Sequence, residues 1–97
     1  MAIHMIVEYA KLAAAAAKMA EALMRYREST KNVKSAADDL ASKWEGATRD
    51  AFVEDQENAY NWYNQIAEVV SNVIQLAKDC LEQYRETEER IKSIMKS

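Results

Sequence analysis

Proline is absent from this chain of 97 residues, and glycine, cysteine and histidine occur once each. Without proline and glycine the chain has almost none of the residues that turns require, so long helices are expected. The single cysteine, Cys80, excludes an intramolecular disulfide. The single histidine, His4, leaves neither a metal ligand set nor a base for a nucleophile. The composition therefore predicts an all-α, non-enzymatic protein without cofactor or metal.

The chain also lacks a dominant charge and a long apolar run. Its 13 basic and 16 acidic residues are interleaved, so the clustered basic face that nucleic acid requires is missing. No stretch approaches the roughly 18–20 apolar residues that cross a bilayer, so stable membrane insertion is not expected. Residues 1–7 lack the features of a Sec signal peptide, so any secretion is expected to use another route. Residues 1–4 carry no weight, because His4-Met5 is compatible with a cloning scar.

Two apolar series at alternating spacings of four and three residues are present, a pattern typical of amphipathic helices. They predict one helix over about residues 5–42 and a second over about residues 47–95. The first series is Met5, Tyr9, Leu12, Ala16, Met19, Leu23, Tyr26, Thr30, Val33, Ala37, Leu40 and Trp44. The second is Phe52, Gln56, Ala59, Tyr63, Ile66, Val70, Val73, Ala77, Cys80, Tyr84, Thr87, Ile91 and Ile94. Its membership predicts that Cys80 is a small buried apolar residue rather than a reactive thiol. The weakest part of the first helix, Ser29 to Asn32, is compatible with a kink.

Residues 43–46 separate the two predicted helices and contain the only glycine, Gly46. Glycine takes the positive φ of a helix end or tight turn without steric cost. A short connection makes consecutive helices antiparallel neighbours. We therefore predict a single domain over residues 1–97, folded as an antiparallel two-helix hairpin.

Apolar residues on both sides of the second series indicate a further contact surface. A two-stranded seam needs about two apolar positions in seven, and the middle of the second helix offers about four. We expect the hairpin to dimerise into a four-helix bundle through five of these residues. They are Trp62, Val69, Ile74, Leu76 and Leu81. The alternative is that they cover the flanks of the intramolecular seam in a monomer.

The sequence Trp44-Glu45-Gly46 lies near the midpoint of the chain, between the two predicted helices. In this position it resembles the motif of the WXG100 family, small helical hairpins exported by type VII secretion systems. Toward the C-terminus, an apolar residue is followed by an acidic one four positions on, then by apolar residues three and seven positions beyond that. These residues are Tyr84, Glu88, Ile91 and Met95, and the spacing is similar to the secretion signal of Gram-positive family members.

The resemblance implies a small secreted protein, exported as a folded homodimer and recognised by a membrane-bound FtsK/SpoIIIE-type ATPase. A second hypothesis is a heterodimeric adaptor or chaperone that pairs with a related helical protein, such as a larger effector toxin. A third is a structural coiled-coil module unrelated to secretion, and membrane disruption is a weaker variant. Tyr84 and Glu88 also have a simpler interpretation as seam and solvated face, and Trp44 as a plug at the end of the hairpin.

Overall fold

The computed structural model describes residues 2–96, except for the side chains of residues 2–5 and 7. It contains two helices, α1 (Ala2–Ser42) and α2 (Ala47–Lys96), and no strand within the described part. The predicted all-α fold with two long helices is confirmed. Neither helix contains proline or glycine, so backbone hydrogen bonding continues uninterrupted from one end to the other. His4 and the predicted seam residue Met5 lie outside the described side chains.

Helix α1 continues through Ser29–Asn32, the segment considered for a kink. Thr30, in the middle of this segment, is buried, and its hydroxyl donates a hydrogen bond to the carbonyl oxygen of Arg27 at 3.0 Å. A threonine in a helix interior satisfies its hydroxyl in this way without leaving the helix. The polar seam position is therefore accommodated inside α1.

The chain divides into two compact units, which we name the turn unit and the end unit. The turn unit is Ala22–Val70 and contains the end of α1, the connection and the beginning of α2. Here the helices pack as an antiparallel hairpin, with the rings of Tyr26 and Tyr63 edge to face at a centroid distance of 6.4 Å. The end unit is formed by the described parts of Met1–Glu21 and Ser71–Ser97.

Among the described residues, the buried apolar side chains are mostly alanines. They are Ala16, Ala37, Ala41, Ala67 and Ile74. Small side chains allow helices to approach closely, but each of them removes little apolar area from water.

On α2 the line of residues that faces α1 differs from the predicted one. Tyr63, Val70, Ala77, Tyr84 and Ile91 are half-buried as predicted, and the positions between them are occupied by a different set. That set is Ala67, Ile74, Leu81 and Glu88, where the prediction had Ile66, Val73, Cys80 and Thr87. We name the residues Tyr63, Ala67, Val70, Ile74, Ala77, Leu81 and Tyr84 the inner line.

The neighbouring pairs Ile66/Ala67 and Val73/Ile74 explain this error. Both members of each pair are apolar, so the same spacing of four and three residues fits either choice. Ala67 is 4% exposed and Ile66 is 45% exposed. In this pair the smaller residue lies against α1, which permits a close approach of the two helices. In the pair Val73/Ile74 the larger residue, Ile74, is buried and Val73 is exposed, so residue size alone does not decide which member faces α1.

Cys80 is exposed, so the prediction that it is buried was wrong. Its neighbour Leu81 occupies the half-buried position instead, which moves Cys80 off the contact with α1. Four described residues of the first series are also exposed, three on α1 and one, Trp44, in the connection. They are Tyr9, Val33, Leu40 and Trp44. Near the turn the small residue Ala41 is buried in place of Leu40, for the same reason of close approach.

Candidate functional site

The connection between the helices brings Trp44 onto the first turns of α2. The Trp44 ring packs against Phe52 with a centroid distance of 5.4 Å and an interplanar angle of 40°. The backbone N–H groups of Lys43 and Trp44 donate to the carbonyl oxygens of Leu40 and Ala41 at 3.1 and 3.2 Å. These bonds satisfy carbonyl groups that the end of a helix leaves without partners. Trp44 is thus held by backbone and ring contacts while part of its surface stays exposed.

Gly46 immediately precedes helix α2 and has a backbone conformation that other residues adopt only at an energetic cost. Its φ is +101°, and its carbonyl oxygen accepts from the N–H of Asp50 at 3.3 Å. A Cβ at this position would meet no atom within 4 Å. Glycine is therefore required here for its backbone freedom and not for space.

The four predicted signal residues lie on the last part of α2 with different degrees of exposure. Tyr84, Glu88 and Ile91 are half-buried, and Met95 is 82% exposed. The carboxylate of Glu88 forms an ion pair with Lys92 at 3.7 Å. The hydroxyl of the neighbouring Thr87 donates to the carbonyl oxygen of Gln83 at 2.9 Å. This segment therefore presents an exposed Met95 and a carboxylate already beside a lysine.

The five residues predicted to form a dimer interface fall into two groups. Trp62, Val69 and Leu76 are 65%, 62% and 68% exposed, whereas Ile74 is buried and Leu81 is half-buried. The last two belong to the inner line and contact residues of their own chain. Ile66, Val73 and Cys80 are exposed instead. Together with Trp62, Val69 and Leu76 they form a line of residues spaced by four and three along α2.

We name this line of six residues the outer line. In the turn unit it consists of Trp62, Ile66 and Val69, which with Gln65 and Val70 line a shallow depression. In the end unit it consists of Val73, Leu76 and Cys80. Between residues 58 and 77 the only charged side chain is Glu68. This depletion of charge is a signal in the sequence from which the outer line can be found, because interface cores are depleted in charged residues.

A groove in the turn unit was not foreseen from the sequence. It has a volume of 260 Å³ and lies between α1 and α2. Its lining includes the small residues Ala37 and Ala41 from α1 and Val53 and Tyr60 from α2. The groove exists because alanines on α1 leave open the space that larger side chains would occupy.

Lys34 and Asp38 form the charged rim of this groove on α1. The Nζ atom of Lys34 donates to Asp38 at 3.0 Å and lies 5.6 Å from the centroid of the Tyr60 ring. The hydrogen bond to Asp38 and the charge of that carboxylate raise the pKa of Lys34, and Glu57 adds a smaller effect in the same direction. Outside the groove, toward the C-terminal end of α2, the hydrogen bond that Arg85 donates to Glu82 lowers the pKa of the Glu82 carboxyl group.

No group of three or more histidine, cysteine or acidic side chains suited to a metal ion occurs among the described residues. Neither described helix has the length and apolarity needed to cross a membrane.

These features define a class of protein: a small helical hairpin with a glycine turn and a second, exposed apolar line on one helix. The chain belongs to the WXG100 family, since the family model for proteins of 100 residues with WXG matches residues 4–92. Membership implies a small substrate of a type VII secretion system, and proteins of this family pair with one another. The match includes Trp44, Gly46, Tyr84, Glu88 and Ile91, and ends before Met95.

The chain matches no curated protein and no solved structure.

Proposed function

We propose that this protein is exported by a type VII secretion system as a pair of identical chains and is recognised through its C-terminal helix. Its role is to bind other proteins, without a catalytic step, and its export uses a route other than Sec. The observation that carries the proposal is the exposed outer line on α2, in a chain that belongs to a family of secreted, pairing proteins.

Pairing follows from the chemistry of the outer line. Transfer of a large apolar side chain from water is worth roughly 1.5–3 kcal/mol when burial is complete. In the turn unit Trp62 and Val69 are among the most exposed apolar residues, and Val33 and Leu40 of α1 are exposed as well. Stable interfaces remove roughly 800 Å² from each partner. The exposed side chains of the outer line, with Val33 and Leu40, are the surface that we expect such an interface to bury.

A second copy of the chain is the partner that the outer line favours. Its flanks carry neutral amides, among them Asn58, Gln65, Asn72 and Gln75, and Glu68 is the only charge from residue 58 to 77. A two-fold symmetric interface places a surface against its own copy, where like charges would repel. A line without charges avoids this repulsion. Two such hairpins would form a four-helix bundle.

Recognition for export is assigned to Tyr84, Glu88, Ile91 and Met95. An apolar face of a helix that enters a groove of its receptor uses anchors spaced by three, four and seven residues. Met95 is exposed and available for such a contact, and the half-buried Tyr84 and Ile91 offer part of their surface. The receptor proposed from the family is the FtsK/SpoIIIE-type ATPase, which would replace Lys92 as the partner of Glu88.

The test measures export in the native host for Tyr84→Ala and Glu88→Gln. We expect both variants to accumulate inside the cell, while circular dichroism and light scattering of the purified proteins stay unchanged. Glu82→Gln is the matched control, since Glu82 lies on the same helix, pairs with Arg85 and is outside the proposed signal. Normal export of Tyr84→Ala and Glu88→Gln would refute the signal.

The adaptor hypothesis is the second candidate, because an exposed apolar line also suits a different helical protein, such as the helical region of a larger toxin. The mass in solution separates the two hypotheses. Light scattering over a dilution series should give twice the chain mass of 11.1 kDa for the identical pair. A mass of one chain, which doubles only after a helical partner is added, would favour the adaptor.

A further inference from the structure

The groove of the turn unit lies on a different flank of α2 from the outer line. Tyr60 lines the groove and Trp62 belongs to the outer line. Successive residues of an α-helix are rotated by about 100° about the helix axis, so residues two positions apart lie on nearly opposite sides of the helix. Pairing through the outer line therefore leaves the groove open to a second contact.

The size of the groove favours a side chain as its occupant. Its volume of 260 Å³ is below the roughly 300–1,000 Å³ of typical small-molecule sites. Thr30, Ala37 and Ala41 contribute buried surface to the lining, and Val53 and Phe52 add apolar contacts from α2. An unbranched or singly branched apolar side chain fits such a lining.

The rim of the groove selects a partner with positive charge. Lys34 is already bound to Asp38 at 3.0 Å and lies over Tyr60, so its charge is largely compensated. Glu57, which also lines the groove, adds a second carboxylate. The three charged side chains of the lining thus leave an excess of one negative charge. A segment with apolar side chains between cationic ones would complement it.

The last turns of α2 have this composition. Ile94 and Met95 are 72% and 82% exposed; Lys96 follows them, and Lys92 precedes them in an ion pair with Glu88 at 3.7 Å. Arg90 adds a further cation one turn earlier. Met95 has the flexible, unbranched side chain that adapts to irregular apolar hollows. Since Val53 and Met95 are parts of one continuous helix, a tail that enters the groove comes from another chain.

We propose that the groove between Ala37, Ala41, Val53 and Tyr60 binds the C-terminal segment of a second copy, with Met95 inserted and Lys92 or Lys96 beside Glu57. The segment is the same one to which the export signal was assigned. If that assignment holds, a tail in the groove is hidden from the export receptor, so contact between copies and engagement for export exclude each other. Occupation of the groove itself does not depend on the export signal.

Cysteine cross-linking tests the contact directly. In the full chain with Cys80→Ser, one preparation carries Val53→Cys in the groove and a second, differently tagged, carries Met95→Cys. The two are mixed with oxidised glutathione, and the disulfide product containing both tags is quantified. A cross-link requires the two Cα atoms to come within roughly 7 Å. The control replaces Val53→Cys by Asn58→Cys, which is exposed and rotated by about 140° on α2.

We expect the Val53 preparation to form the mixed product at least tenfold faster than the Asn58 preparation. Equal rates, or a faster reaction at Asn58, would overturn the proposal, because the tail would then lie elsewhere or nowhere in particular. The rate should also fall as sodium chloride is raised, since the charged groups of the contact are exposed.

Charge exchange gives a second, independent readout. Glu57→Lys in the groove chain and Lys92→Glu with Lys96→Glu in the tail chain should each reduce the cross-linking rate severalfold. Combining the exchanged chains should restore it, as expected for residues in direct contact. Loss without restoration would overturn the assigned charges. Glu57→Lys leaves Tyr84, Glu88, Ile91 and Met95 unaltered, so failure of the groove contact and failure of the export signal are observed separately.

Discussion

The guanidinium of Arg49 donates from Nε to the carbonyl oxygen of Ala41 at 3.3 Å, joining the first turn of α2 to the last turn of α1. This carbonyl group is among the last of α1, and it also accepts from the N–H of Trp44. Arg49 additionally contacts Asp50 at 3.4 Å. One side chain therefore bridges the connection between the two helices.

Arg49→Met should lower the free energy of unfolding by about 0.5–1.5 kcal/mol, because it removes this hydrogen bond and keeps most of the aliphatic stem. Urea denaturation followed by circular dichroism measures the change. Arg90→Met is the control, since it removes the same charge from an exposed position of α2. Equal effects of the two substitutions would show that the contact with Ala41 contributes nothing specific.

Gly46→Ala should destabilise the protein by about 1–2 kcal/mol, because alanine does not readily adopt a φ of +101°. The added methyl group meets no neighbour, so the loss reflects backbone strain alone. For a domain of this length the melting temperature should fall by about 4–8 °C for each kcal/mol. Gly46→Asn should lose less, since asparagine tolerates positive φ better. A higher melting temperature for Gly46→Ala than for Gly46→Asn would contradict this reasoning.

The pair Ile66 and Ala67 allows the two lines of α2 to be tested separately. Ala67→Ile places three extra carbon atoms between the helices and should cost about 1–3 kcal/mol of folding stability. Ile66→Ala should have a much smaller effect on the isolated chain and should weaken pairing instead. Denaturation at a concentration where the chain is monomeric distinguishes these outcomes. If Ile66→Ala were the more damaging change there, Ile66 would have to lie on the inner line.

Replacing Trp62 and Val69 by glutamine should raise the dissociation constant of the pair at least about tenfold, which corresponds to about 1.4 kcal/mol. Analytical ultracentrifugation over a dilution series measures it. Met24→Gln serves as control, because Met24 is an exposed apolar residue of α1 outside the outer line. Between 0.1 and 1 M sodium chloride the unaltered pair should not weaken, since its proposed core contains no ion pairs.

Local signals were sufficient to predict the two helices and their connection. The absence of proline allows long helices, and the single Gly46 allows the turn between them. Both effects depend only on residues that are adjacent in the sequence. The choice between Ile66 and Ala67 is different, because both residues fit the same spacing. It is decided by how closely α1 can approach, and this depends on residues distant in the sequence.

The groove could not be foreseen for a related reason. It arises from space that Ala37 and Ala41 leave opposite Val53, and a gap of this kind has no pattern within either helix. The segment that carries most of the outer line, in contrast, was recoverable, since residues 58–77 contain a single charge. The sequence did not distinguish its exposed face from its buried one. The predicted roles of Tyr84, Glu88, Ile91 and Met95 depend on a receptor and stay predictions.

The alanines of the core determine how strongly the stability of the protein depends on its concentration. Contacts between alanines contribute less free energy than contacts between leucines, so a single hairpin is stabilised only modestly. If chains pair through the outer line, association adds to that stability by mass action. The melting temperature then rises with concentration. Pairing at high concentration would then keep the chains folded, and dilution would loosen them without any ligand or enzyme.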